Sequence, residues 1–498
     1  MPGSVTSLPR WVTLILVSGI PRILGAFFLP NAFGDAYVYI RDAGSISAKL
    51  SQGTFSISDL YGFWLPLYQF ICAIVNVFIG QPFYVSKLVS ALFGVGVCLF
   101  IYHLTLHLTR HSKAALWTFV LVALNPLHIF NSASAMTDVP SAFFVLGSLY
   151  FALKKRWIIA AVFAALAGLT RVDNWMLIAL LLLFQFLEER RVSIIACAVL
   201  IFPPLFWFYI SWNATGDWLA CFVTRKEYMD ALLAANPSLA TFTLTSMARD
   251  FGSLVIPTGI AVLIACFVAA GLVFKRLNAS AAGRKSGTVR AVAAASFYFF
   301  AYLSFIVLAY LTHTQPIIFP RYGLILFALG LPILPWTFFE ITRRKPQWSR
   351  RVLVTVIAIC VFEASVELAG SVGFINQTSA QRAVADYLHV RFQPAANAHI
   401  FCDEGTVRAL SGLPEEIFLT SVDAPRDRAG FLGYLKENNV EYVVFINKTD
   451  SIPAKLFPES RSGGTDEPFK PEMHSSSRFL RIDIWVYRVK YPFQSPPT

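Results

Sequence analysis

The sequence predicts a polytopic α-helical membrane protein of about eleven transmembrane helices, ending in a small extracytoplasmic α/β domain. Three observations carry this prediction. Of 498 residues, 56% are hydrophobic and only 14% charged, where a soluble chain of this size has about a quarter charged. Apolar runs approaching the length needed to cross a roughly 30 Å hydrocarbon core follow one another as far as residue 369. Beyond about residue 376 the composition becomes that of a soluble domain. The expected division is a membrane domain over 1–375 and a soluble domain over 376–498.

The first run covers residues 11–29. It is too long for the apolar core of a signal peptide and is expected to remain as the first anchor. Residues 30–82 form a polar, aromatic interval with a helix-like stretch at 36–50 and an amphipathic one at 63–79. The latter contains Leu65-Pro66-Leu67 and ends at Gly80, which suits an interface-lying or re-entrant helix, with a true span as the alternative. The other runs lie near 85–108, 114–131, 138–153, 157–171, 174–187, 192–212, 253–274, 291–312, 322–340 and 351–369.

Charge tests this layout. Every second connection is basic: 110–113, Lys154-Lys155-Arg156, Arg190-Arg191, 275–290 and 343–351. By the positive-inside rule these face the cytoplasm with Arg10 and the N-terminus, and the remaining loops and the C-terminal domain lie outside. A bacterial inner membrane fits this pattern. If 63–79 spanned, the basic loops would be inverted. The net charge of +12 falls in these short clusters and not along one face, so nucleic acid is not an expected partner.

Of the 7 cysteines, five lie in apolar runs without metal-ligand spacing. Cys221 and Cys402 lie in polar segments, which leaves a disulfide between them open. In the soluble part, helices are expected at 380–390 and 428–438, strands at 398–402 and 440–446, and a closing antiparallel strand at 479–489. Residues 460–477 read as a mobile loop rich in Gly, Pro and Ser.

The polar residues that topology does not explain collect at outward helix ends: Asp35, Asp42, Asp138, Arg171, Asp173, Arg321 and Tyr322, with His128 and His313 nearby. A transporter would more often hold ionisable groups near mid-membrane on broken helices. A carboxylate at one face can take the proton of an acceptor hydroxyl. An arginine there can hold a departing phosphate. Together they suit glycosyl transfer from a lipid phosphate, and the apolar body offers a groove for a polyprenyl chain among the membrane lipids.

Each residue also has a structural role open to it. Asp35 could cap the helix starting at Ala36, and Asp138 the run that follows it. Arg171 could snorkel or pair with Asp173. His128 and His313 read as structural histidines, and Glu363 and Glu367, four apart, as capping or snorkelling groups.

Four places resemble the GT-C glycosyltransferases, in particular the bacterial relatives of protein O-mannosyltransferases and of the lipid A aminoarabinose transferase. They are Gly34-Asp35-Ala36 after the first run, Leu65-Pro66-Leu67-Tyr68, Ala167-Gly168-Leu169-Thr170-Arg171, and Pro320-Arg321-Tyr322-Gly323. The resemblance covers about residues 10–340 and rests on order and spacing. It implies inverting transfer from a polyprenyl- or dolichyl-phosphate sugar, with Asp35 as general base, Asp138 as a second acid and Arg171 at the donor phosphate. Arg321 and Tyr322 join the phosphate site. The family usually has a second acid directly after the first, where Ala36 stands here. This puts first-loop metal binding in doubt, leaves a divalent metal open, and favours arginines as the groups that stabilise the leaving phosphate. The acceptor, whether lipid, glycan or protein, stays open. The competing reading is a lipid-linked saccharide flippase or transporter without transferase chemistry. A third makes the soluble domain a partner-docking module on an inert anchor.

Overall fold

The computed structural model describes residues 9–32, 34–235, 241, 243–279, 287–315, 317–392, 397–421, 424–447, 452–460, 468–477 and 482–491. Parts of the 275–290 connection, of the 460–477 loop and of the 479–489 strand therefore lie outside the described residues. The chain divides into two compact units. One holds Met1–Asn31, Tyr39–Leu233 and Pro237–Leu368; the other holds Ala32–Val38, Ala234–Asn236 and Ala369–Thr498.

The first unit is helical. It begins with α1 (Arg10–Phe28), most of α2 (Asp35–Gln52), α3 (Leu67–Ile79), α4 (Pro82–Thr109), α5 (Ser112–Ala123) and α6 (Pro126–Ser132). Next come α7 (Asp138–Leu153), α8 (Trp157–Thr170), α9 (Met176–Glu189), α10 (Ile194–Thr215) and α11 (Ala220–Ala235). It closes with α12 (Leu244–Thr258), α13 (Ile260–Ala279), α14 (Gly287–Leu311), α15 (Tyr322–Gly330), α16 (Ile333–Arg344) and the start of α17 (Ser349–Arg391).

All eleven apolar runs are helices or bent helix pairs, and the protein is a multi-pass membrane protein. Among the described residues five helices (α1, α4, α10, α14 and α17) are long and apolar enough to span, or up to eight if the bent pairs α5/α6, α12/α13 and α15/α16 each count as one. The expected eleven exceeds this because α7, α8 and α9 have only 16, 14 and 14 residues, about 21–24 Å of helix. The 63–79 stretch is helical only after Pro66, and its 13 residues are also short of a span.

The bends have local causes. Asn125 caps α6, its side chain accepting from the His128 amide at 2.7 Å, and Pro126 occupies the first helical position. The last carbonyls of α5 are met by the fully buried Arg22, which donates to Ala123 O at 3.0 Å and Val122 O at 3.1 Å and lies 2.9 Å from His128 Nδ1. The α12/α13 bend of 82° follows Pro257 and turns at Gly259, whose φ of +85° is one that side-chain-bearing residues avoid. Glu363 of α17 accepts the Ile260 amide that this bend frees. One turn on, Glu367 accepts from Asn125 Nδ2 at 2.7 Å. The two acids thus cap, directly or through Asn125, the starts of α13 and α6.

In the second unit α17 runs on to Arg391, so the expected last span, the helix at 380–390 and the boundary at 375 all fall within one helix. It is followed by β1 (His399–Phe401), α18 (Gly405–Ser411), β2 (Phe418–Leu419), α19 (Arg428–Glu437), β3 (Val440–Ile446), α20 (Ile452–Leu456), β4 (Phe469–Ser477) and β5 (Ile482–Val489). The sheet order is β2-β1-β3-β5-β4; β1 is parallel to β2 and β3, and β5 is antiparallel to β3 and β4. Alternation sorts the strands' side chains. Ile400, Val444 and Val486 pack with Val384 and Leu388 of α17, while Phe401, Phe445 and Tyr487 pack with Phe431 and Leu435 of α19. This is the expected α/β domain, with one correction. The C-terminal half of the 460–477 loop is the edge strand β4, which its Pro and Ser content concealed. An edge position tolerates Pro471, and the β4/β5 register shifts between Pro471 and Met473. The seven cysteines are all free, so Cys221 and Cys402 form no disulfide.

Candidate functional site

In the first unit, helix ends bring several of the expected residues together. Asp138 opens α7, where an acid suits the helix N-terminus. Arg171 closes α8 in extended backbone (φ −149°), which turns its side chain out of the helical path. Its Nη1 donates to Asp138 Oδ1 at 2.8 Å, and its Nε donates to Asp173 Oδ1 at 3.1 Å. The snorkelling alternative therefore gives way to pairing with two acids. The largely shielded Arg171 guanidinium is thus held between the Asp138 and Asp173 carboxylates. Asp138 Oδ2 is buried and, among the described residues, has no hydrogen-bond donor.

Asn174 locks this turn. It donates to Ala167 O at 2.8 Å and Ser141 Oγ at 2.9 Å, and accepts from Tyr302 Oη of α14 at 2.6 Å. Three helices thus fix the segment that carries Arg171 and Asp173, and each buried polar group in the knot has a partner.

Arg321 precedes α15, buried, with its guanidinium carbon 4.9 Å from the Phe319 ring centre and 5.8 Å from that of Tyr322. The Arg171 guanidinium carbon lies 5.7 Å from the same Tyr322 ring. One aromatic ring therefore serves two cations. Gly323 sets how closely α15 meets α12: a Cβ there would stand 2.6 Å from Pro257 Cβ and 2.9 Å from the Thr258 amide nitrogen. Only glycine allows that approach.

Arg225 of α11 escaped the sequence reading. Its guanidinium carbon is 5.4 Å from the Phe63 ring and 5.8 Å from that of Trp64. Burial lowers its pKa, Asp173 opposes that and Arg171 adds to it, so the three charges share one neighbourhood. The available signal was the one used for Arg171, a cation in a loop that the positive-inside rule leaves unexplained. Tyr39 completes the aromatic wall, 5.8 Å from Trp64 and 5.7 Å edge-on from Tyr68, with Oη 3.4 Å from Thr137 Oγ1.

Asp35 lies in the second unit. It is the first residue of α2, half-buried, and so stands inside the first turn and not at the cap before it. A Cβ on the adjacent Gly34 would lie 3.7 Å from Thr406 Oγ1. Asp42 pairs with Arg41, and His313 sits in a left-handed turn after α14. His128 is a buried partner of Arg22. A divalent metal finds no set of ligands here: among the described residues no three of His, Cys, Asp and Glu form a metal-holding group, and Asp138 and Asp173 both face Arg171.

Residues 30–182 match the family model described as dolichyl-phosphate-mannose-protein mannosyltransferase. A search of curated protein sequences gives no match. Among solved structures, the chain is similar to ArnT from Cupriavidus metallidurans bound to undecaprenyl phosphate. The identity is 12% over 96% of this chain and 97% of that one, with a TM-score of 0.55. The same protein in the apo state matches at 11% identity over 96% and 97%, with a TM-score of 0.47. The fold of the undecaprenyl-phosphate-bound ArnT structure therefore extends along this chain.

Proposed function

We propose that the protein is an inverting membrane glycosyltransferase that moves a sugar from a polyprenyl-phosphate donor to an acceptor on the extracytoplasmic side. The observation that carries this reading is the flanking of Tyr322 by Arg171 and Arg321, with Arg225 sharing the Asp173 neighbourhood. A leaving phosphate gathers negative charge as its bond to the sugar breaks. Prearranged guanidinium groups stabilise that charge without reorganising at the moment of reaction. The match over 30–182, which spans Asp35, Asp138 and Arg171, supports the reading, as does a fold shared with a protein solved with undecaprenyl phosphate.

The acceptor oxygen attacks the anomeric carbon while the bond to the phosphate oxygen breaks on the opposite face. Asp35 takes the acceptor's proton, and polyprenyl phosphate leaves with the bonding electrons. Asp138 holds Arg171 through Oδ1, and its Oδ2 accepts from a sugar hydroxyl. Phe63, Trp64 and Tyr39 form the apolar wall along which the sugar and the first isoprene units lie. The basic connections between helices support a cytoplasmic N-terminus and an inner-membrane location.

The test is transfer from labelled polyprenyl-phosphate sugars by the reconstituted full-length protein. Asp35→Asn is expected to lower turnover by about 10²–10⁴-fold, the usual worth of a general base, with donor binding retained. Near-normal turnover by this variant would remove Asp35 as the base. Movement of labelled lipid across the bilayer without a new glycosidic bond would replace the reading with a flippase.

A further inference from the structure

A cleft of 410 Å³ lies away from the Arg171 cluster, between α13, α16 and the first turns of α17. Its walls are apolar, with Ala265 and Val268 from α13, Phe338 and Ile341 from α16, and Val352 and Val356 from α17. Thr337 and Thr355 also line it, and the Thr337 hydroxyl is already bonded to Ala265 O and Ile333 O. At the rim stand Trp348 and Arg351, the latter the only charged residue of the lining.

Arg351 belongs to a strongly basic segment. Arg343, Arg344, Lys345, Arg350 and Arg351 fall within nine residues, all exposed, and no acid follows until Glu363. Glu340 binds Arg343 and Arg276. Among the described residues, Arg344, Arg350 and Arg351 have no carboxylate partner. Arg350 and Arg351 also occupy the first turn of α17, which contains no acid. Cations there oppose the helix dipole and weaken the helix, so the stability of α17 does not account for them. Lys345 Nζ lies 4.3 Å from the Trp348 ring centre, the pairing of aromatic and cation that marks a membrane interface.

We propose that this cleft binds an anionic glycerophospholipid, one acyl chain lying in the cavity and the phosphate resting on Arg350 and Arg351. Charge complementarity selects the occupant. A free phosphate leaves the apolar cavity unused, and an apolar peptide leaves the arginines unmet. A zwitterionic phospholipid brings its own cation toward Arg351 and its neighbour Arg350, whereas an anionic one satisfies both parts of the site. The site is independent of the transferase reading and would stand without it.

The test uses full-length protein exchanged into equal mixtures of phosphatidylglycerol and phosphatidylcholine, with retained lipid counted by native mass spectrometry. A diazirine-bearing phosphatidylglycerol then locates the site by peptide mapping. Wild type should retain phosphatidylglycerol preferentially, with adducts concentrated on α13, α16 and the start of α17. Arg350→Gln and Arg351→Gln should each reduce that preference by about fivefold, while total lipid retained changes little. Val352→Trp, which fills the cavity, should deplete adducts on α13 and α16 while the protein stays monodisperse. Equal retention of both lipids by wild type, or adducts spread evenly over all lipid-facing helices, would overturn the proposal. Displacement of phosphatidylglycerol by undecaprenyl phosphate, with adducts at the same peptides, would assign the cleft to that lipid instead.

Discussion

Asp138 Oδ1 accepts from Arg171 Nη1 at 2.8 Å, joining the first residue of α7 to the residue that closes α8. The pair is largely shielded, with Asp138 6% and Arg171 21% exposed at the side chain. Removing one member leaves the other desolvated and unpaired. Arg171 also holds Asp173 and faces Tyr322, so its planar fork matters as well as its charge. Arg171→Lys keeps the charge but cannot make both contacts. Transfer by this variant is expected to fall by about 10²-fold, the scale of losing one prearranged donor. Steady-state kinetics on reconstituted protein check this, and unchanged turnover would remove Arg171 from the proposed phosphate site.

Among the described residues Arg225 has no acid within direct bonding distance, and it rests on Phe63 and Trp64. Its charge is therefore available to a ligand. Arg225→Gln should raise KM for the donor about tenfold, as expected for one charge-assisted contact of about 1.5 kcal/mol, with a smaller effect on kcat. Arg225→Lys should recover part of the loss. A variant with wild-type KM would place Arg225 outside the donor site.

Gly323→Ala tests the coupling between helix packing and the site. The added methyl would press on Pro257 and on the Thr258 backbone, and α15 would have to shift away from α12, taking Arg321 and Tyr322 with it. Overpacking of this kind costs about 1–3 kcal/mol. A lower thermal midpoint together with reduced transfer is expected. A variant equal to wild type in both would show that α12 yields without moving Arg321.

Glu363 and Glu367 should matter for stability and not for chemistry. Each satisfies a polar group freed where a helix pair bends, the Ile260 amide and the Asn125 side chain. Glu363→Ala is expected to cost about 1–3 kcal/mol, the scale of leaving one buried donor unsatisfied, and Glu363→Gln less. Thermal unfolding in detergent measures the loss. Turnover per folded molecule should stay near wild type.

The membrane class and the C-terminal α/β domain were legible because both rest on composition and period. The strand 440–446 was placed to the residue, since a continuous apolar run in a soluble domain has few alternatives. β4 was missed because its polar Ser475-Ser476-Ser477 end and Pro471 carry turn chemistry, and only pairing with β5 makes it a strand. The continuity of α17 was missed because its apolar first half and amphipathic second half differ in composition but not in backbone. In the candidate site, Asp138, Arg171, Arg321 and Tyr322 were visible as polar residues at helix ends. Arg225 was not singled out, because it shares a long polar loop with Lys226 and Arg249 and nothing local sets it apart from them.

By itself, then, the sequence determined that this chain is a multi-pass membrane protein with a small C-terminal α/β domain, since burial of apolar surface and helix or strand period depend on local composition. It also marked helix ends on one predicted face as the place to look. Only the tertiary structure decided that Arg171 bridges Asp138 and Asp173, that Tyr322 is shared with Arg321, and that Arg225 joins the Asp173 neighbourhood. The segments that carry them, at 138, 171–173, 225 and 321–322, lie tens of positions or more apart. What brings them together is the packing of α7, α8, α11 and α15, including a glycine-sized approach at Gly323 and a buried Asn174 knot, which no local pattern encodes.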